Sequence, residues 1–135
     1  ELGNRKLEAK CHDGRISVLV ASDDVKNLSV GKVVRLMELL NVKVCSMQPP
    51  LVEAEFHSQS YQDARKVNAP LIQWVPKSDN VRLQLVFPDA RIVDGFGETL
   101  LSSQKIGSII QLVRIGFGRI DAKALGSLVV YFAHD

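Results

Sequence analysis

The chain has 135 residues, 17 basic and 15 acidic side chains, a formal net charge of +2, and 46% hydrophobic residues. That length suffices for one modest core or two small lobes. The near balance of charge excludes a polybasic coat for indiscriminate nucleic-acid binding, and no apolar run approaches the ~20 residues of a membrane-spanning helix.

The charge is unevenly spread. Residues 1–48 carry eight basic and six acidic side chains, residues 49–98 five and seven, and residues 99–135 four and two. The ends are therefore basic and the middle acidic, which suits a surface with a few placed cations. The opening Glu1-Leu2-Gly3-Asn4-Arg5 has neither Met nor a basic-then-apolar leader, so the piece is expected to belong to a longer cytoplasmic product. In that reducing setting Cys11 and Cys45 are expected as buried free thiols.

In chain order, Leu7–Cys11 and Arg15–Val20 read as short strands joined by a turn at His12-Asp13-Gly14. Asp23–Asn27 reads as a loop or a single helical turn. Lys32–Leu40 and its continuation Val42–Cys45 are rich in β-branched residues and read as strand, with Asn41 as a bend. Pro49-Pro50 ends the run, since proline breaks a sheet interior. Leu51–His57 alternates as a strand. Ser58–Asn68 is the best helical stretch, with Ser60 as its cap. Leu71–Val75, Val81–Phe87 and Arg91–Phe96 read as further strands, Thr99–Lys105 as a helical turn, and Ile109–Ile115 paired with Leu128–Ala133 as the closing strands.

Roughly ten short strands with turns every eight to twelve residues predict an all-β chain, a set of antiparallel barrels or a sandwich. Trp74 is expected in a core or interface.

Signals for catalysis are weak. Gly95-Phe96-Gly97 and Gly116-Phe117-Gly118 lack the remainder of any phosphate-binding loop. His12, His57 and His134 stand alone, and no Cys-x-x-Cys or His-x-x-x-His occurs, so no metal site is expected. Glu53 and Glu55 share a strand face with no partner nearby and read as a solvated edge. No catalytic residue is assigned.

The stretch Gly107–Asp121 is more suggestive. Gln111 sits on an otherwise apolar strand face, and Arg114 and Arg119 flank the Gly-Phe-Gly sequence. A core strand with a bulge is one reading. The other is a nucleic-acid surface, where Gln meets a base edge, Arg forks onto a base or phosphate, and Phe stacks.

Five motifs occur in order: Gly3-Asn4-Arg5, Val34-Arg35-Leu36-Met37 with Asn41-Val42, Ile72-Gln73-Trp74-Val75-Pro76, Gly95-Phe96-Gly97-Glu98, and Ile110-Gln111-Leu112-Val113-Arg114-Ile115-Gly116-Phe117. Together they resemble the C-terminal anticodon-binding region of archaeal-type glutamyl-tRNA synthetases and the related glutaminyl enzymes. The ending Val129-Val130-Tyr131-Phe132-Ala133-His134 resembles the archaeal glutamyl branch.

The resemblance implies that residues 1–135 form two small antiparallel β-barrels with exchanged strands, gripping the anticodon stem-loop of a tRNA. It implies that Arg35 contacts the first anticodon base and Gln111 the middle one. Lys26 matches the first member of a basic pair that contacts the third base, and Asn27 stands where the family has arginine. Arg114 and Arg119 join the anticodon-binding set. The parent enzyme would attach glutamate to tRNA with ATP and Mg. This segment lacks the signature motifs of that chemistry, needs no cofactor of its own, and would partner the parent's catalytic domain. The same region of a glutaminyl enzyme, a protein-interaction barrel, and a stand-alone enzyme with an unrecognised site are the alternatives.

Overall fold

The computed structural model describes residues 13–135. The expected strand Leu7–Cys11, the thiol of Cys11, His12 and the Gly3-Asn4-Arg5 motif lie outside the described residues. The chain divides into two compact units, the first ending at Trp74 and the second running from Val75 to Asp135.

In the first unit, Asp13 (φ 53°) and Gly14 (φ 73°) form the expected turn. Strand β1 (Val18–Val20) leads into a single helical turn, α1 (Ser22–Val25). The long run after it is two strands. β2 (Val33–Leu36) turns back through Met37–Leu39 into β3 (Leu40–Gln48), with Glu38 at φ 60°. Asn41, read as a bend, lies inside β3. The continuous β-branched pattern hides the reversal because Glu38 adopts a left-handed conformation usually signalled by Gly or Asn.

A turn at Pro49-Pro50 leads to β4 (Leu51–Ser58), and α2 (Tyr61–Lys66) follows. The Ser60 hydroxyl accepts the amide N–H of Asp63, so the cap is where the sequence puts it. The run Leu71–Val75 is interrupted at Gln73, giving β5 (Leu71–Ile72) and β6 (Trp74–Pro76). The sheet order is β4-β3-β2-β5, and β1 pairs with the strand containing Trp74. β5 runs parallel to β2, because α2 carries the chain back before it pairs.

Val34, Leu36, Ile72 and Trp74 form the core of this unit, with Val18, Val20, Leu28 and Val42 packed against it. Burying each such side chain is worth about 1.5–3 kcal/mol. Trp74 is a core residue, and its indole Nε1–H donates to the Met37 carbonyl at 2.9 Å.

The second unit is a five-stranded sheet in the order β8-β7-β11-β10-β9, built from β7 (Val81–Val86), β8 (Ile92–Gly97), β9 (Ile109–Leu112), β10 (Gly116–Ala124) and β11 (Ser127–His134). A short 3-10 helix, Thr99–Ser103, follows β8. The closing strands are not paired directly: β10 lies between β9 and β11. β7 and β11 run parallel. Val81, Leu85, Ile120, Leu128 and Val130 make the core, with Leu112 and Phe132 against it.

The all-β class is thus observed, but the ladders are open sheets. Among the described residues β8 and β9 remain the edges of one sheet, and β4 and the two-residue β5 the edges of the other. Closure would require each edge to find a second neighbour. The two parallel pairs also depart from a purely antiparallel arrangement.

Candidate nucleic-acid interface

The six sequence-assigned residues fall three in each unit. In the first, α1 is followed directly by Lys26 and Asn27. Lys26 Nζ donates to Asp23 Oδ1 at 3.1 Å, and Asn27 Nδ2 to the Asp23 carbonyl at 3.2 Å. Lys32 Nζ reaches the Asn27 carbonyl at 2.9 Å. The Lys26–Asp23 pair is exposed on both sides, so it holds the lysine only weakly. Beside it lies a cleft of about 610 Å³ whose lining is mostly apolar, including Val20, Val25, Leu28, Met47 and Pro49 with Lys26.

Arg35 is more firmly built in. Strand alternation puts Val34 and Leu36 into the core and Arg35 on the opposite face. There Arg35 pairs in register with Asn41 of β3, and Asn41 with Ser58 of β4. Arg35 Nη1 donates to Asn41 Oδ1 at 2.9 Å and to the Gln59 carbonyl at 3.1 Å. The Asn41 side chain is 0% exposed. Its Nδ2 donates to Ser58 Oγ (2.9 Å) and to the Ser60 carbonyl (2.8 Å). The buried amide is therefore satisfied on both atoms, as a buried polar group must be. The guanidinium carbon of Arg35 stands 5.9 Å from the ring centroid of Tyr61. Asp63, near the start of α2, has its carboxyl pKa held below the ordinary 3.8, first by the hydrogen bond from Ser60 Oγ and then by the charge of Lys66.

In the second unit, Gln111 on β9 is opposite Phe117 on β10, and Ile109 is opposite Arg119. Directly opposite residues share a face, so Gln111, Phe117 and Arg119 lie on one face with Ile109. The opposite face carries Ile110, Leu112 and Ile120 into the core. Gln111 and Arg119 are exposed. The Phe117 ring is tilted against His134, centroids 4.9 Å apart, and Arg119 Nη2 is 3.8 Å from Asp121 Oδ1.

The expected strand Ile109–Ile115 ends at Leu112. The Ile115 amide bonds back to the Leu112 carbonyl at 2.8 Å, closing a turn with Arg114 at φ 69°. Arg114 is therefore at a hairpin tip, off the Gln111 face. The Gly-Phe-Gly sequence permits close approach: a Cβ on Gly118 would stand 2.5 Å from Val130 Cγ1.

Asn41 and Tyr61 were not singled out as site residues by sequence reasoning. The available signals were a lone polar residue inside an apolar strand run and an aromatic directly after a helix cap. Cys45, expected buried, is an exposed free thiol at a register shift of β3. Alternation along β3 turns Val42 and Val44 inward and so places Cys45 on the outer face with Lys43. Glu53 and Glu55 are exposed, and among the described residues no group of acidic, His or Cys side chains could hold a metal ion. No helix among them is long and apolar enough to cross a membrane.

Over its whole length the chain is 36% identical to a region of the glutamate–tRNA ligase of Hyperthermus butylicus, covering 25% of that protein. Over 99% of its length it is 36% identical to the glutamate–tRNA ligase of Methanocaldococcus jannaschii, covering 23% of it. The chain resembles one segment of the archaeal glutamate–tRNA ligases. The ligase of Sulfurisphaera tokodaii is similar too, 38% identical over 83% of the chain and 20% of the ligase. The chain thus spans about a quarter or less of the length of these ligases. No protein-family model matches it.

Proposed function

We propose that this chain is the anticodon-reading region of a glutamate–tRNA ligase, and that the rest of the protein attaches glutamate to tRNA with ATP and Mg. The observation that carries the proposal is similarity to archaeal glutamate–tRNA ligases along the full chain. The chemistry of the two faces supports it. Single-stranded bases offer their pairing edges to guanidinium and amide groups, and Arg35 and Gln111 present those groups from sheet scaffolds. Arg35 is assigned to the first anticodon base and Gln111 to the middle one. Lys26 and Asn27 are assigned to the third, with Asn27 contributing a neutral amide. Arg114 and Arg119 are assigned to the anticodon loop, where arginine suits bidentate contact with phosphate. The catalytic part of the longer protein is the second partner.

The test is binding of the chain to the anticodon stem-loop of a glutamate tRNA at low salt, beside the same loop with its middle base changed. The native loop is expected to bind more tightly by ~1–3 kcal/mol, and Gln111→Ala should erase that difference. Equal binding of both loops by the wild-type chain would defeat base reading. A glutaminyl assignment is separated by asking which amino acid the longer protein attaches.

A further inference from the structure

We propose that Tyr61 is the stacking platform for the nucleobase that Arg35 reads. The inference rests on the anticodon-reading function above and names a residue that function did not require. Tyr61 opens α2 and is 55% exposed, with the Arg35 guanidinium 5.9 Å from its ring centroid. The two side chains are placed by one set of hydrogen bonds. The buried Asn41 amide accepts from Arg35 on one atom and donates from the other to the Ser60 carbonyl, next to Tyr61 in sequence. Arg35 also bonds the Gln59 carbonyl. Residues 59 and 60, which launch Tyr61, are thereby tied to the arginine from both sides.

The chemistry is complementary. Both Arg35 hydrogen bonds leave from Nη1, so Nη2 and Nε carry none among the described residues and are disposed to donate to a base edge. An unstacked base also needs a flat partner for its π-face, which an exposed tyrosine supplies without selecting one base over another. In this arrangement Arg35 contributes the choice of base and Tyr61 the affinity. The tyrosine hydroxyl has no part in it, so phenylalanine should serve equally. If Tyr61 is only a surface ring beside an arginine, its removal leaves RNA binding unchanged.

The experiment measures Kd for wild type, Tyr61→Phe, Tyr61→Leu and Tyr61→Ala against three stem-loops: native, abasic at the first anticodon position, and abasic at the middle position. Thermal unfolding of each variant is recorded alongside. Tyr61→Ala and Tyr61→Leu should weaken binding of the native and middle-abasic loops by about fivefold or more. They should leave the first-abasic loop within about twofold of wild type, and Tyr61→Phe should match wild type throughout. Equal weakening of all three loops, or none, by variants that remain folded would overturn the stacking role while leaving base reading intact. A wild-type chain that binds the native loop no better than either abasic loop would remove the anticodon reading itself, and this inference with it.

Discussion

A Cβ placed on Gly116 would lie 2.5 Å from the carbonyl oxygen of His134, and the glycine sits at φ 139°. Two independent constraints, left-handed backbone and contact with a neighbouring main chain, meet at the first residue of β10. Gly116→Ala should destabilise the second unit by about 2 kcal/mol or more, combining backbone strain with displacement of the end of β11. Gly95 has no atom within 4 Å of its notional Cβ. Gly95→Ala should therefore be neutral or slightly stabilising. Urea denaturation of the two variants side by side checks the contrast.

Arg114 occupies a left-handed position that costs a non-glycine residue about 1 kcal/mol. Arg114→Asn keeps a side chain that tolerates that geometry and removes the charge. Its stability should stay within about 0.5 kcal/mol of wild type, or rise. Its affinity for the anticodon stem-loop should fall, with the slope of log K against log salt reduced by about one. An unchanged salt slope would take Arg114 out of the RNA-binding set.

Asp63 supplies a pH dependence with a definite sign. Its folded-state pKa lies below the ordinary 3.8, so the charged carboxylate is favoured by folding. The associated stability is present above that value and is lost as pH falls through the depressed folded pKa. Ser60→Ala should remove most of this acid dependence and, separately, cost about 1 kcal/mol at neutral pH through loss of the helix cap. Unfolding midpoints at pH 7 and below pH 4, for both proteins, separate the two effects.

Trp74 is the sole tryptophan of the chain and belongs to the core of the first unit. Its hydrogen bond to the Met37 carbonyl anchors the turn between β2 and β3. Trp74→Phe retains most of the packing but leaves that carbonyl without its donor, and should cost about 1–3 kcal/mol. Chemical unfolding followed by circular dichroism would show it.

Much of this architecture is legible in the sequence. The Ser60 cap, a strand at Val81–Phe87 and the Trp74 core position follow from side-chain chemistry at short range, and the structure contains all three, the strand ending at Val86. Two of the misreadings share one cause. At Glu38 and at Arg114 the chain reverses through a positive φ without the usual glycine or asparagine, so apolar alternation runs uninterrupted across a turn. Pattern therefore joined β2 to β3 and extended β9 to Ile115. Asn41 escaped for a different reason. Its partners are 6, 17 and 19 residues away, so nothing in its own neighbourhood announces that it is buried and bonded. Tyr61 becomes notable only once Arg35 is beside it.

The β3–β4 hairpin has a mechanical consequence. Its open end carries the Asn41–Ser58 pair beside Arg35, and its closed end at Pro49-Pro50 borders the cleft that includes Lys26. Two of the proposed base contacts thus lie toward opposite ends of this hairpin, whose pairing shifts register twice. If the hairpin keeps that spacing when RNA binds, tRNAs with identical anticodon bases but stiffer or looser loops should differ in how well they are held.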